Sequence, residues 1–327
     1  MRLADTGELS LLQRIRERFR VNAKDLIAGI GDDSAIIVPR DYPLLLTTDM
    51  MAEGVHFDLA FTTYFQLGFK IVSVNVSDIY AMGGAPRFVL LDVAAPGSTD
   101  EEMLESFFEG VRKAMGRYRL ALIGGDLSSS KALSISATLV GYARKPVTRS
   151  GARPGDRIYV TGNLGDSACG LELLKAIKKP IHIERGDRTN RPLGWETMRP
   201  LLTRHLLPEA RRPGKISGVA TAMIDVSDGL LIDLWRLCDE SRVGARIHMM
   251  QLPISSQMKK AAYFLNLEPE LLATAGGEDY EILFTASPKR RVAGAHCIGE
   301  ITDSERTVVE RDGTKRSFSP EGYQHWR

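Results

Sequence analysis

The chain has little of what a disulfide-linked, membrane-spanning or nucleic-acid-binding protein needs. Its three cysteines are an odd number scattered along 327 residues, and no CxxC pair occurs, so we expect neither a disulfide framework nor a zinc site. No apolar run approaches the roughly 18 residues of a membrane span. The net charge is only +2, which argues against a broad nucleic-acid surface, since such a surface carries clustered Lys and Arg.

These absences favour a cytoplasmic protein. The first residues, MRLADTGELSLLQRIRERF, lack the apolar core of a secretory signal, and scattered cysteines suit a reducing compartment. Hydrophobic residues make up 43% of the chain, which is enough for a sizeable core. The length allows one large domain or two ordinary ones.

Short acidic turns recur along the chain and are its most informative feature. Carboxylates that converge repel one another and are costly to desolvate unless they are paired. Mg²⁺ suits such a cluster, because it binds few carboxylates, keeps waters and bridges to substrate phosphates. The pattern therefore predicts a magnesium-phosphate site assembled from distant parts of the chain. The turns are GDD (31–33), TTD (47–49), NVSD (75–78), GGD (124–126), DVSDG (225–229) and GGED (276–279).

Familiar nucleotide motifs are missing. There is no GxxxxGK[ST] loop, and residues 29–33 lack the third glycine of a dinucleotide fingerprint. Phosphates would have to be held by metal ions and by other backbone loops. The glycines before Asp126 permit a close backbone approach, the helix start near Ser227 offers N–H groups to phosphate or a helix cap, and Arg149 is a candidate phosphate clamp.

Taken singly, each of these residues also has a structural explanation. Asp33 can be a solvated turn acid, Asp49 an acid that ends a strand, and Asp78 a capped or salt-bridged acid. Arg149 can be a solvated linker charge, and His56 a surface or satisfied core histidine. One shared site would explain all of them together, and we therefore favour it.

The hydrophobic periodicity predicts a duplicated α+β architecture. A segment rich in Pro, Gly and Arg at 144–157 indicates a domain boundary, and 178–200 is interpreted as a polar insertion or long loop. The predicted helices are 8–20, 64–82, 100–117, 166–177 and one after residue 226. The predicted strands are 34–38, 44–48, 88–93, 120–123, 133–142, 158–161, 222–226, 281–285, 296–301 and 307–311.

Seven segments, in order along nearly the whole chain, resemble the thiamine-monophosphate kinase family of the aminoimidazole ribonucleotide synthetase-like superfamily. They are GIGDDSA (29–35), TTDMMAEGVHF (47–57), VNVSDIYAMGG (74–84), IGGD (123–126), TRSGARPGDRIYVTG (148–162), IDVSDGL (224–230) and GGEDYEILF (276–284). The resemblance implies a two-domain α/β (α+β) fold. An N-terminal domain (1–145) binds metal and ATP and pairs its mixed sheet in a homodimer. A C-terminal α/β domain (146–327) completes the nucleotide and substrate site.

The resemblance also implies an activity, which is transfer of the γ-phosphoryl group of ATP to thiamine monophosphate with several Mg²⁺ ions, giving thiamine diphosphate and ADP. A monophosphate oxygen is already ionised near neutral pH, so transfer is expected to be direct and no general base is identified. Another ATP-dependent synthetase of the superfamily and a non-catalytic nucleotide-metal sensor remain as alternatives.

Roles carry over residue by residue. Two departures stand out, since Leu127 lies where the family usually has Thr, and Tyr323 lies where it often has Trp. The positions that match nucleotide contacts are Gly125, Asp126, Arg149 and Ser227, and those that match substrate contacts are His56, Glu278 and Tyr323. The positions that match metal ligands are Asp33, Thr47, Thr48, Asp49, Asp78, Asp126, Asp225 and Asp228.

Overall fold

The structure is a computed structural model that describes residues 2–6, 8–31, 33–188 and 193–325. These fall into two units. The first comprises 1–79 with 84–145, and the second comprises 80–83 with 146–327. Each combines a sheet with helices, and the predicted α/β class is confirmed. None of the helices in the described ranges combines the length and the apolar composition that crossing a bilayer requires.

The first unit is built on a five-stranded mixed sheet. Strand order is β3-β7-β4-β5, with β6 also pairing with β4, and β1 and β2 form a separate two-stranded ribbon. The strands are β1 Leu26–Ala28, β2 Ile36–Ile37, β3 Leu44–Ala52, β4 Ala85–Ala95, β5 Ala121–Gly124, β6 Leu127–Ser129 and β7 Ser134–Tyr142. The helices are α1 Leu3–Thr6, α2 Glu8–Arg18, α3 Tyr64–Ala81 and α4 Glu101–Tyr118.

Helices α3 and α4 pack closely because glycine lies at their crossing. A Cβ at Gly68 would overlap the carbonyl of Phe107, and a Cβ at Gly110 would overlap that of Phe65. Both apolar rows of α3 are buried, including Ile71, as is typical of a helix covered on most sides. The length predicted for α3 agrees with the structure within one residue.

The two faces of this sheet differ. Strand residues alternate between faces, and α3 covers one of them at β3. On the other, Leu26 and Ile37 of the ribbon pack on buried Phe88 and Val140. An exposed apolar row remains on β3 beyond the ribbon, formed by Leu44, Leu46 and Met50.

The second unit contains a seven-stranded mixed sheet of order β14-β13-β10-β12-β8-β11-β9. Its strands are β8 Arg157–Val160, β9 Ala222–Val226, β10 Gly244–His248, β11 Glu281–Ala286, β12 His296–Thr302, β13 Arg306–Val309 and β14 Lys315–Ser317. Its helices are α5 Asp166–Ile177, α6 Trp195–Leu206, α7 Leu230–Ser241, α8 Ser256–Leu265 and α9 Pro269–Ala275, with short 3₁₀ turns at Ile183–Arg185, Ile216–Gly218 and Met249–Gln251.

The interpretation of 178–200 as a loop is wrong at its C-terminal end, where α6 begins at Trp195. Residues 189–192 lie outside the described ranges. Pro200 conceals the helix in the sequence, because proline usually ends one. Here it lies in the second turn, while Met198, Leu201 and Leu202 are buried on one side.

Candidate functional site

Strand β3 and helix α3 bring three predicted metal positions together in the first unit. The Thr47 hydroxyl donates a hydrogen bond to Oδ2 of Asp78. Asp49 lies two residues after Thr47 on the same strand, so its side chain is on the same face. Asn75, fully buried, accepts a hydrogen bond of 3.1 Å from the Asp49 backbone N–H and donates one of 2.9 Å to the carbonyl of Ile71. Asn75 therefore fixes the strand to the helix.

Thr48 points to the opposite face of the same strand. Its hydroxyl donates to the carbonyl of Ala137 at 3.1 Å and accepts from the hydroxyl of Thr138 at 3.1 Å. The structure therefore does not bring the side chain of Thr48 together with those of Thr47 and Asp49.

The GGD turn lies against strand β4. Gly125 has φ 147°, and a Cβ there would overlap the backbone of Leu91, so only glycine fits. Asp126 donates its N–H to Leu91 at 3.3 Å and accepts from Val93 at 2.9 Å. In register, Leu91 pairs with Ala137 on β7 and Ala137 pairs with Asp49, so Asp126 lies in the same row of the sheet as Asp49, with β7 and β4 between them. Leu127 begins β6 next to Val93.

The remaining first-unit positions lie on loops. Asp33 is exposed in the segment between β1 and β2, and Asp32 lies outside the described residues. His56 is in the turn after β3, where its Nδ1 accepts a hydrogen bond of 3.1 Å from the N–H of Ala52. The proton of a neutral His56 is therefore on Nε2.

The oxygen donors around Asp78 suit magnesium. The hydroxyl of Thr47 and the carboxylate of Asp49 lie on the face of β3 that α3 covers, and α3 adds the carboxylate of Asp78. Mg²⁺ is usually held by one or two carboxylates together with waters and substrate phosphates. A larger cage is absent from the described part of the chain, where no three His, Cys, Asp or Glu side chains are grouped so as to hold a metal ion.

In the second unit, backbone hydrogen bonds join two acidic turns. The N–H of Glu278 donates to the carbonyl of Ser227 at 2.7 Å, and the N–H of Tyr323 donates to the carbonyl of Asp228 at 2.9 Å. Asp225 is buried on β9 opposite Ile282 of β11. The structure thus brings Ser227, Asp228, Glu278 and Tyr323 together.

The expectation that the N–H groups at this helix start are free is wrong for residues 227–229, and the side chain of Ser227 does not cap the helix. The role of Ser227 in nucleotide binding stays a prediction. Helix α7 begins after Gly229. Oδ2 of buried Asp233 accepts hydrogen bonds from the N–H groups of Ser227 and Asp228, both at 3.0 Å, and of Gly229 at 3.2 Å. A carboxylate of the protein therefore accepts the three N–H groups that precede the helix. Burial and the nearby charge of Asp228 raise the pKa of Asp233 to about 6.

Asp228 has a basic partner that the sequence pattern did not reveal. Nη1 of Arg236 lies 2.6 Å from Oδ2 of Asp228 and 2.7 Å from Oδ1 of Asp233. The carboxylates of this turn are therefore already paired with an arginine of the protein. The helical spacing of 233 and 236 is the signal that could have indicated their pairing.

The backbone of the GGED turn and of the residue after it is strained, and both acidic side chains of the turn contact neighbouring helices. Glu278 and Tyr280 have φ of 64° and 50°, values that are uncommon for residues other than glycine. Asp279 is fully buried and accepts from the N–H groups of Gly165, at 2.6 Å, and Ser167, at 3.2 Å. Burial raises the pKa of Asp279 to about 7. Its contacts place it at the N-terminus of α5, which favours a carboxylate.

Glu281 and Glu278 are held by helix α6 and the segment after it. Glu281 binds Arg204 of α6, as well as Nε and Nη2 of Arg211 at 2.8 and 3.0 Å. Oε2 of Glu278 lies 3.1 Å from Nδ1 of His205. Of these five residues, the sequence interpretation gave a role only to Glu278.

The loop that carries Arg149 is tied to the end of α7. The hydroxyl of Ser241 donates to the carbonyl of Arg149 at 2.8 Å and accepts from the N–H of Gly151 at 3.1 Å. Gly151 has φ 139°, and a Cβ there would overlap the carbonyl of Thr221. The fold therefore holds the backbone beside Arg149 in place.

A cavity of about 580 Å³ lies beside Tyr323. Helix α9 lines it with Leu271 and Ala275, and the C-terminal segment lines it from Ser319 to Gln324. The Tyr323 ring lies edge-on to His325, with centroids 5.0 Å apart. An aromatic ring and aliphatic side chains in a concave site suit a flat organic group.

Comparisons with known proteins identify the family to which the chain is similar. The family model described as "AIR synthase related protein, N-terminal domain" matches residues 31–143 of this chain. The model described as "AIR synthase related protein, C-terminal domain" matches residues 153–312. The chain is 36% identical to "Thiamine-monophosphate kinase" of Aquifex aeolicus, covering 100% of both chains. It is also 36% identical to the protein of that name from Escherichia coli K12, covering 98% of each. A solved structure described as "AaThiL complexed with AMPPCP and TMP" superimposes with a TM-score of 0.77 at 35% identity, covering 100% of this chain and 99% of that one.

Proposed function

Because the chain belongs to the thiamine-monophosphate kinase family, we propose that it transfers the γ-phosphoryl group of ATP in line to thiamine monophosphate. The family resemblance noted in the sequence is confirmed at full length. The chain is an ATP-dependent phosphotransferase whose products are thiamine diphosphate and ADP. The use of Mg²⁺, the roles of single residues, the homodimer and the cytoplasmic location form part of the proposal.

The observation that carries the metal assignment is the oxygen face of Thr47, Asp49 and Asp78. Two phosphate-bearing substrates repel each other, and bound Mg²⁺ would supply charge neutralisation and orientation for an in-line displacement. The protein supplies the geometry. Asn75 holds the backbone of Asp49, and Thr47 holds the carboxylate of Asp78, so these ligand atoms need little reorganisation on binding.

The phosphate groups also need donors from the protein. We assign Arg149 to a phosphate of ATP, since its loop is fixed by Ser241 and a guanidinium binds phosphate in a bidentate manner. The backbone at Gly125 approaches β4 closely, which leaves the adjacent Asp126 on a rigid turn. His56 is assigned to the monophosphate through its Nε2–H.

The organic part of the acceptor suits the cavity beside Tyr323. Thiamine carries a cationic thiazolium ring and an aminopyrimidine, and the Tyr323 ring offers a stacking surface to either. Glu278 lies nearby through the backbone bonds to 227 and 228. Its carboxylate suits the cationic, amine-bearing part of thiamine and would repel its phosphate.

We also propose a homodimer that pairs first-unit sheets. Leu46 and Met50 are 65% and 60% exposed and lie with Leu44 on one face of β3. β3 ends the hydrogen-bonded strand order of its sheet, and a self-complementary apolar patch of this kind suits a two-fold interface. A cytoplasmic location agrees with the free thiols of Cys169, Cys238 and Cys297.

The test is ADP formation with and without thiamine monophosphate, with thiamine diphosphate identified as the product. Asp49→Asn should reduce the rate by at least about a hundredfold, because it removes a charged metal ligand. Asp303→Asn is the control, since Asp303 is exposed in the turn between β12 and β13 and has no proposed role, and it should retain the wild-type rate.

The outcomes separate the remaining functions. Turnover that needs thiamine monophosphate supports the kinase. ATP binding without turnover would favour the sensor, and ATP consumption with a different acceptor would favour another synthetase. An Asp49→Asn variant as active as Asp303→Asn would remove Asp49 from the metal site.

A further inference from the structure

A buried histidine lies directly behind the carboxylate of Glu278. His205 is on α6, and its side chain is almost inaccessible, whereas the side chain of Glu278 is 30% exposed. Nδ1 of His205 is 3.1 Å from Oε2 of Glu278 and 3.2 Å from Oγ of Ser167 on α5. Because a carboxylate only accepts hydrogen bonds, the proton shared with Glu278 lies on Nδ1.

The packing of α5 against α6 fixes this histidine. A Cβ on Gly170 of α5 would overlap the carbonyl of Leu201, and it would come within 3.2 Å of Cβ of His205. The two helices therefore meet at a glycine, which lets His205 reach both Ser167 and the turn. The preceding residue, Arg204, binds Glu281 at the start of β11, just after the same turn.

The backbone of Glu278 is held as firmly as its side chain. Its φ of 64° is left-handed, and its N–H is bonded to Ser227 at 2.7 Å. Strained positions of this kind cluster at ligand-binding sites. A strained backbone, a buried donor and a partly exposed carboxylate together describe a preorganised acceptor of hydrogen bonds.

We propose that His205 is a positioning residue that aims the Glu278 carboxylate at the aminopyrimidine of the phosphoryl acceptor. This inference rests on the proposed function and deepens it. A negatively charged group is unsuited to the phosphate of the acceptor, whereas the exocyclic amine of the pyrimidine donates hydrogen bonds. His205 touches no substrate, and it acts by holding Oε2 of Glu278 in place.

Two substitutions of His205 distinguish positioning from a structural role. The amide nitrogen of His205→Asn replaces Nδ1, while that of His205→Gln replaces Nε2 and leaves Glu278 without its donor. We expect His205→Gln to raise the KM for thiamine monophosphate by about tenfold to a hundredfold, the range of one hydrogen bond to a charged group. His205→Asn should stay within about threefold of wild type, and neither should change the KM for ATP by more than about twofold.

The matched control is His296→Asn, on the exposed side of β12, which should leave all constants unchanged. Equal effects of the Asn and Gln variants, or parallel rises in both KM values, would overturn the positioning role.

A second readout compares two phosphoryl acceptors and does not require the His205→Gln variant to fold. Glu278→Gln should weaken the preference for thiamine monophosphate over the thiazole monophosphate that lacks the pyrimidine by about tenfold or more. An unchanged preference would overturn the proposal. Wild-type turnover is measured first, because a wild type that fails to convert thiamine monophosphate contradicts the proposed function itself. A working wild type with no such pattern in the variants contradicts only the role of His205.

Discussion

Replacing Glu281 by Gln should destabilise the second unit by about 3 kcal/mol. Glu281 is 1% exposed and accepts hydrogen bonds from Arg204, Arg211 and the hydroxyl of Thr161, the last at 2.6 Å. Removing one charge from a buried ion pair costs about 3–5 kcal/mol, because the partner stays buried and uncompensated. We take the low end, since the Arg211 side chain is 46% exposed and can turn toward water.

The control is Glu300→Gln. Glu300 is 49% exposed and pairs with Arg246 at 2.7 Å, and such surface pairs contribute about 0–1 kcal/mol. Urea unfolding followed by tryptophan fluorescence suits the comparison, because Trp195 and Trp235 both lie in the second unit. A loss for Glu281→Gln that is below about 1 kcal/mol, or equal to that of the control, would refute the buried-pair reasoning.

The effect has a definite pH dependence. Burial alone would raise the pKa of Glu281, but the hydrogen bond from Arg211 and the charges of Arg204 and Arg211 outweigh it and lower that pKa. A lowered pKa in the folded state means that the stabilisation is complete above the unfolded value, about 4.3, and is lost as pH falls below it. The difference between wild type and Glu281→Gln should therefore shrink at acid pH.

Three further substitutions test separate features. Gly125→Ala should cost at least about 2 kcal/mol of stability in thermal unfolding and lower ATP affinity, because its Cβ meets Leu91 and its φ is strained; an unchanged melting temperature would contradict this. Asp25→Asn should destabilise the first unit by about 2 kcal/mol at pH 7, since its hydrogen bonds from Arg87, with burial opposing, lower its pKa; in a pH series of unfolding experiments this stabilisation should begin to fall below about pH 4, the unfolded value, and decline progressively as the pH drops toward the lowered pKa of the folded state. Tyr323→Ala should raise the KM for thiamine monophosphate about fivefold through lost stacking, whereas Tyr323→Phe should match wild type; equal KM values for all three proteins would remove the ring from the site.

The sequence predicted elements well where one local pattern dominates. Helix α3 shows two apolar rows at helical spacing, and its Asp78 interrupts an otherwise apolar helix. Because α3 packs against β3, Asp78 lies opposite Thr47. The boundaries of β9 and α5 agree with those predicted, because apolar runs end there at Gly or at polar residues.

What the sequence did not reveal depends on contacts between distant segments. Asp233 looks like an ordinary acid in the first turn of a helix, and only the folded DVSDG turn shows that it takes three backbone N–H groups. Glu281 reads as a strand residue, and its partners Arg204 and Arg211 come from a region interpreted in part as a loop. Pairing of this kind leaves no periodic signal in a single chain.

The central claim is that Thr47, Asp49 and Asp78 hold divalent ions between two anionic substrates. The most direct measurement is Mn²⁺ binding, followed by electron paramagnetic resonance, in the presence of a non-hydrolysable ATP analogue. We predict that wild type binds more than one Mn²⁺ per chain and that Asp78→Asn loses at least one of these ions or binds it at least about tenfold more weakly. Asp78→Asn with the stoichiometry and affinity of wild type would contradict the account.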